Sequence, residues 1–123
     1  MIKHHSEIMK QSEKLFKKHS KFIKRFKSPK HNLSQRQKTI LTYSISTSDL
    51  KYLRELAHNV LNSNVPITDE QLTALSAYRK TLRDLANPKK NIKTVIQTGS
   101  GIFSIVLPAI ISAIAGAVGG AAV

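Results

Sequence analysis

Ser46–Pro88 reads STSDLKYLRELAHNVLNSNVPITDEQLTALSAYRKTLRDLANP, and its periodicity decides the fold class. Leu50, Leu53, Ala57, Val60 and Leu61 fall on one face of a 3.6-residue helix. Leu72, Leu75, Tyr78, Leu82 and Leu85 fall on one face of a second. The second helix has a marked start. Thr68 and Gln71 make a capping-box pair, with Ile67 and Leu72 placed as a hydrophobic staple. Asp69 and Glu70 sit in the first turn, where the helix dipole favours negative charge. Asn87-Pro88 marks its end. The first helix is expected to begin between Ser46 and Asp49 and to stop at Asn62-Ser63-Asn64. Upstream, a shorter helix over Ser34–Tyr43 offers Leu33, Ile40 and Leu41 as a third wall. The brief alternation in ILTYSIST is an isolated and weak strand signal. The expectation is an all-α chain with a two- to three-helix unit at residues 33–87. So few helices in about 55 residues bury little apolar surface, which points to marginal stability, oligomerisation or support from the flanking segments.

Those flanks differ sharply. Residues 1–32 carry ten of the twenty Lys and Arg against Glu7 and Glu13 only, a net of +8. Their apolar residues repeat every seven: Ile2, Met9, Phe16 and Ile23, beside Ile8, Leu15 and Phe22. That spacing predicts a basic amphipathic helix with a narrow apolar stripe, interrupted by His5, Ser12 and His19, which are poor core residues. Pro29 ends it, because a proline disfavours the helical region in the residue before it. Residues 88–98, PKKNIKTVIQT, read as a basic hinge. Beyond it, residues 99–123 form a hydrophobic Gly/Ala/Ile tail, and no charged side chain occurs from Thr94 to Val123.

The full chain of 123 residues carries +13 and no cysteine. The charge points to nucleic acid, anionic lipid or another polyanion. Missing cysteines exclude disulfides and thiolate metal sites. The first residues lack the continuous apolar run of a secretory signal. No nucleophile-elbow or metal-ligand pattern is present, Gly99-Ser100-Gly101 is too short for a phosphate loop, and the expectation is a non-enzyme without a cofactor. The histidines, His4, His5, His19, His31 and His58, have no carboxylate or cysteine spacing around them that suggests a metal. Their expected role is extra positive charge at mildly acidic pH.

For the basic segment, the leading expectation is neutralisation of nucleic-acid phosphates by Lys10, Lys14, Lys17, Lys18, Lys21, Lys24, Arg25 and Lys27. Nine Lys to one Arg argue against base-edge recognition by bidentate arginine. Six to eight such contacts would lose roughly 10³- to 10⁴-fold in affinity between about 50 and 200 mM salt. Two other readings stand beside it: a solvated arm, or adsorption to anionic lipid through Phe16, Phe22 and Phe26.

Three readings also apply to the tail. Ile102–Val123, about 33 Å long as a helix, is long enough to cross a bilayer. Phe103, Ile105, Leu107, Ile110, Ile111 and Ile114 would then meet lipid, with Lys89, Lys90 and Lys93 on the cytosolic side. Ser104, Pro108, Ser112, Gly116 and Gly120 recur every four residues as a small strip. Alternatively the tail completes the core of the helical unit, or enters a groove on a partner protein.

The run Gly101-Ile102-Phe103-Ser104-Ile105-Val106-Leu107-Pro108-Ala109-Ile110-Ile111-Ser112-Ala113-Ile114-Ala115-Gly116-Ala117-Val118 resembles the C-terminal tail of the adenovirus late core protein X family, the precursors of mu. That tail also has a Gly-rich start, an aromatic, a Leu-Pro step and an Ile/Ala/Gly-rich end. The layout is similar to that of the protein-X-like proteins of Maverick/Polinton and adintovirus elements. The resemblance implies a virion core protein that condenses the viral DNA in the particle and in the host nucleus. It also implies a precursor cut by a viral cysteine protease. Gln97-Thr98-Gly99-Ser100-Gly101 is similar to that protease's pattern, with the cut between Ser100 and Gly101. The chain departs from the family in its first cleavage position, Gln97 where an aliphatic is commoner, and in using Lys where mu uses Arg. The other functional classes are a membrane-active or tail-anchored protein on intracellular membranes, and a scaffold using the helical pair 49–86. Expected partners are DNA, a membrane or capsid through the tail, a viral maturation protease, and further copies of the chain.

Overall fold

The computed structural model describes residues 13–62, 65, 67–99 and 101–122, with the side chains of the last helix followed to Gly116. The regular secondary structure of the described residues is all helix, with no strand among them. Residues 13–18 are helical and lead through His19 into α1, Ser20–Phe26. Then follow α2 (Gln35–Tyr43), α3 (Thr47–Leu61), α4 (Asp69–Ser76), α5 (Arg79–Ala86), α6 (Ile92–Thr98), a π-helical turn (Ile102–Val106) and α7 (Leu107–Ala122).

The starts of these helices are written in side chains. The Thr68 hydroxyl accepts from the Gln71 N–H, and the Gln71 side chain accepts from the Thr68 N–H. Ser34 and Gln37 make the same reciprocal pair ahead of α2. Ser46 caps α3 by accepting from the Asp49 N–H, and Asn91 caps α6 by accepting from the Thr94 N–H. Each cap satisfies donors that the helix itself cannot.

Three local expectations are corrected. The helix expected across Leu72–Leu85 is two helices, because Tyr78 leaves helical geometry at φ −119°, ψ 27°. The turn brings Leu75, Leu82 and Leu85 into the core and leaves the staple residue Leu72 52% exposed. In α2 the interior position is held by Thr42, whose hydroxyl donates to the Lys38 carbonyl at 2.6 Å, whereas Ile40 is 59% exposed. Finally, the segment expected to be a hinge contains α6, whose Val95 and Ile96 are buried.

The apolar tail is the centre of the molecule. Ile102, Phe103, Val106, Leu107, Ile110, Ile111 and Ile114 are 0–6% exposed. They join Phe22, Ile23 and Phe26 of α1 and Leu53, Leu56 and Ala57 of α3 in one hydrophobic cluster. α7 contacts α1, α3 and α4. Core completion is therefore the tail's role in this fold. At ~1.5–3 kcal/mol per fully buried side chain, these residues supply what a 55-residue helical unit lacks.

Between α6 and the tail the chain turns by 97°. Gly101 adopts φ +65°, the left-handed region that glycine enters without strain. A Cβ there would lie 2.5 Å from the Tyr78 ring, and one at Gly99 would lie 2.6 Å from the Val95 carbonyl oxygen. Gly-Ser-Gly is thus a close-packed corner at both glycines. After it the backbone widens: the Val106 N–H reaches back to the Gly101 carbonyl and the Leu107 N–H to that of Ile102. This π turn comes just before Pro108, which has no N–H to donate and whose ring crowds the carbonyl four residues back. The Phe103 carbonyl accepts from the Lys30 N–H at 3.0 Å, which ties the segment after Pro29 to the tail.

Candidate polyanion-binding face

The helical residues 13–18 and α1 divide their surface in two. His19, Phe22, Ile23 and Phe26 are buried, with Phe16 partly so. Phe22 packs on Phe26 at 5.3 Å between centroids, and Phe26 on Phe103 of the π turn at 6.0 Å. The phenylalanines considered for lipid adsorption therefore face the core, because the tail supplies an apolar surface inside the molecule. On the opposite side Lys14, Lys17, Lys18, Lys21, Lys24, Arg25 and Lys27 are all exposed. Lys14, Lys17 and Lys18 lie on the first helical stretch and Lys21, Lys24 and Arg25 on α1, with the turn at His19 (φ −104°, ψ 22°) between them and Lys27 just past the end of α1; together they form a cationic ribbon over residues 14–27. Lys10 lies outside the described residues.

Among the described residues no lysine or arginine lies within 4.0 Å of a described carboxylate; the ion-pair geometry found there is His19 with Asp49. Within the two helical stretches the cations make four like-charge pairs at three- or four-residue spacing, Lys14 with Lys17 and Lys18, and Lys21 with Lys24 and Arg25. Each such pair costs a helix ~0.2–0.5 kcal/mol. The ribbon therefore works against the helices that carry it, by about 1–2 kcal/mol in sum. A polyanion laid along it would reverse that sign. Arg25 and Lys24 recover part of the cost at the helix C-terminus, where the dipole favours cations.

His19 was missed by sequence reasoning. It is 5% exposed, its Nδ1–H donates to Asp49 Oδ1 at 2.6 Å, and its ring stacks on Tyr52 at 4.2 Å. Period alone marked its place in the stripe, but the acceptor comes from a helix thirty residues away. Tyr52 is also buried, and among the described residues its hydroxyl is the buried side-chain polar atom without a hydrogen-bond partner. Burial, with a smaller contribution from Glu55, pushes its phenol up to about 12 from 10.0.

A second group of cations was not foreseen as a group. Lys51 and Arg54 of α3 meet Lys90 and Lys93 around an open cleft floored by Leu50 and Ile92. Arg54 is fixed: Nη1 donates to the Asn87 carbonyl at 2.5 Å and Nη2 to that of Lys90 at 2.8 Å. Lys93 lies over the Tyr43 ring at 4.9 Å.

The tail residues marked for lipid are placed otherwise. Phe103, Leu107, Ile110, Ile111 and Ile114 are buried and Ile105 is half-buried. Among the described residues no single helix is long and apolar enough to cross a membrane. Of the small strip, Pro108 is buried while Ser112 and Gly116 are exposed. At the proposed cleavage point Ser100 lies outside the described residues, and Gly101 is packed against Tyr78. No group of three or more His, Cys, Asp or Glu that could hold a metal occurs among the described residues. Set against protein-family models, curated proteins and solved structures, the chain has no match in any of the three.

Proposed function

We propose that the chain is a non-enzymatic polyanion-binding protein that condenses DNA by charge neutralisation, acting as a viral core protein in the virion and the host nucleus. The observation that supports this reading is the ribbon: seven exposed cations over residues 14–27, with no carboxylate among the described residues paired to any of them. The resemblance of the tail to the protein X family supplies the viral context. The contacts are with phosphate, so the binding is independent of sequence and strongly weakened by salt.

On this fold the tail enters the proposal as the core that displays the ribbon. Insertion into a bilayer would require removing α7 from its contacts with α1, α3 and α4. Proteolysis between Ser100 and Gly101 would sever α6 from the core-forming segment, so maturation would open the protein rather than trim an appendage.

The test is duplex retardation by the full chain over a salt series. Binding at about 50 mM salt with a steep slope of log affinity against log salt is expected. Replacing Lys14, Lys17, Lys21 and Lys24 together by Gln should lower that slope by about 3–4. If the intact protein leaves duplex DNA free at about 50 mM salt, the proposal fails.

A further inference from the structure

We infer that the cleft formed by Lys51, Lys90 and Lys93 is a second phosphate-binding site, and that the molecule is bivalent, holding two segments of duplex at once. The inference rests on the polyanion reading above and adds to it where the second contact lies.

Its geometry follows from α3. Asp49 and Tyr52 receive His19, so they mark the flank of α3 on which the basic helix lies. Thr47, Leu50, Lys51 and Arg54 line the cleft. At ~100° per residue the midpoints of Asp49/Tyr52 and of Thr47/Lys51/Arg54 lie about 160° apart around α3. The ribbon faces away from the core on the outer side of its own helix. Two helices therefore separate ribbon from cleft, roughly 20 Å at ~10 Å per helix diameter. That exceeds two Debye lengths at physiological salt, about 8 Å each, so the two groups act on separate phosphates. Duplex DNA has a persistence length of ~150 bp and does not fold round so small a body. Two faces then take two segments.

The cleft is built to receive an anion. Arg54 is held by two backbone carbonyls, which spend two of its donors and fix its charge beneath the site. Lys93 is steadied over Tyr43, while Lys51 and Lys90 are exposed at the rim. Glu55, one turn along from Lys51, forms no ion pair with it. The space, about 530 Å³, admits a phosphodiester with its water. The ligand class is a phosphate backbone, bound without base contacts.

The test uses the full chain and two variants. In the cleft variant Lys51, Lys90 and Lys93 become Gln; Arg54 is kept because it holds α3 to residues 87–90. In the ribbon variant Lys14, Lys17, Lys21 and Lys24 become Gln. Cooperative thermal unfolding is recorded for all three proteins. Binding is read with one fluorescent 20-bp duplex, and bridging by energy transfer between donor- and acceptor-labelled duplexes at protein concentrations where sedimentation shows monomer. The wild type should bind and bridge. The cleft variant should still bind, with its salt slope lowered by about 2–3, and should lose the energy-transfer signal. The ribbon variant should lose the signal too. A cleft variant that bridges as well as the wild type overturns the inference and leaves the polyanion reading intact. A wild type that binds no duplex overturns both.

Discussion

The imidazole of His19 and the carboxylate of Asp49 meet at 2.6 Å, and this contact fastens the basic helix to the start of α3. Asp49 sits in the first turn of α3, where its N–H is held by the Ser46 hydroxyl and its charge suits the helix dipole. The ring of His19 is stacked flat on Tyr52, with 9° between the planes. One side chain thus joins a cationic surface to the core, with its Nδ1 hydrogen-bonded where it is buried.

Loss of that contact is expected to be felt by the whole fold. His19→Ala and Asp49→Ala should each lower unfolding stability by about 1.5–3 kcal/mol, the range for a hydrogen bond to a charged group. The double variant should be less damaging than the sum, with a coupling energy of about 1–2 kcal/mol. Urea denaturation of the four proteins measures it, and a coupling under about 0.5 kcal/mol would mean that the contact is incidental to stability.

Tyr52 makes the opposite prediction, since its hydroxyl is buried without a partner. Tyr52→Phe removes an unsatisfied polar atom and keeps the stack on His19. It should be neutral or stabilising by up to about 1 kcal/mol. The pH dependence follows from the raised phenol. The folded form holds the proton to about pH 12 and the unfolded form releases it near 10.0. The stability linked to this group is therefore complete below pH 10 and is lost as pH rises through 12. Absorbance titration of the phenolates should show a late step near pH 12 that vanishes in Tyr52→Phe. A wild type whose titration lacks that late step, matching Tyr52→Phe at high pH, refutes this.

Gly101 should be among the least replaceable residues. Alanine there is strained at φ +65° and its methyl meets the Tyr78 ring at 2.5 Å. A backbone cost of ~1–2 kcal/mol and overpacking of ~1–3 kcal/mol predict a loss of about 2–5 kcal/mol. Gly116→Ala is the control, because nothing lies within 4 Å of its would-be Cβ. It should gain up to about 1 kcal/mol from helix propensity. Thermal melts of the two variants should shift in opposite directions.

What could be read from sequence was what local chemistry fixes. Ser46, Thr68, Gln71 and Asn87 mark helix limits through bonds to their near neighbours, and they lie where the helices begin and end. α6 was legible on the same terms: Asn91 caps, and Ile92, Val95 and Ile96 share a face, but the lysines around them drew the reading towards a hinge. His19 and the Lys51/Lys90/Lys93 cleft were not legible. Their partners are thirty or more residues away, and only packing sets which faces of α3 they meet. The exposure of the ribbon followed from the stripe opposite it, whereas the tail looked separable because its composition suits lipid and protein interior equally well.

That ambiguity gives the last prediction. Ending the chain after Thr98 leaves all twenty Lys and Arg but removes Ile102, Phe103, Val106, Leu107, Ile110, Ile111 and Ile114. Seven buried side chains at ~1.5–3 kcal/mol each are together as large as the whole ~5–15 kcal/mol by which a domain is stable. Residues 1–98 should therefore show no cooperative unfolding transition, and Ile110→Ala in the full chain should cost about 2–5 kcal/mol. Ser112→Ala, on the exposed side of α7, should change stability by less than about 0.5 kcal/mol. Duplex binding should nevertheless persist in the 1–98 fragment, because phosphate neutralisation needs charge and not a fold. Bridging should not persist in the same form, since the two faces are defined only by the packed helices. A fragment that melts cooperatively, by circular dichroism at 222 nm, would show that residues 13–98 hold together without the tail, and would return it to the role of a separable device.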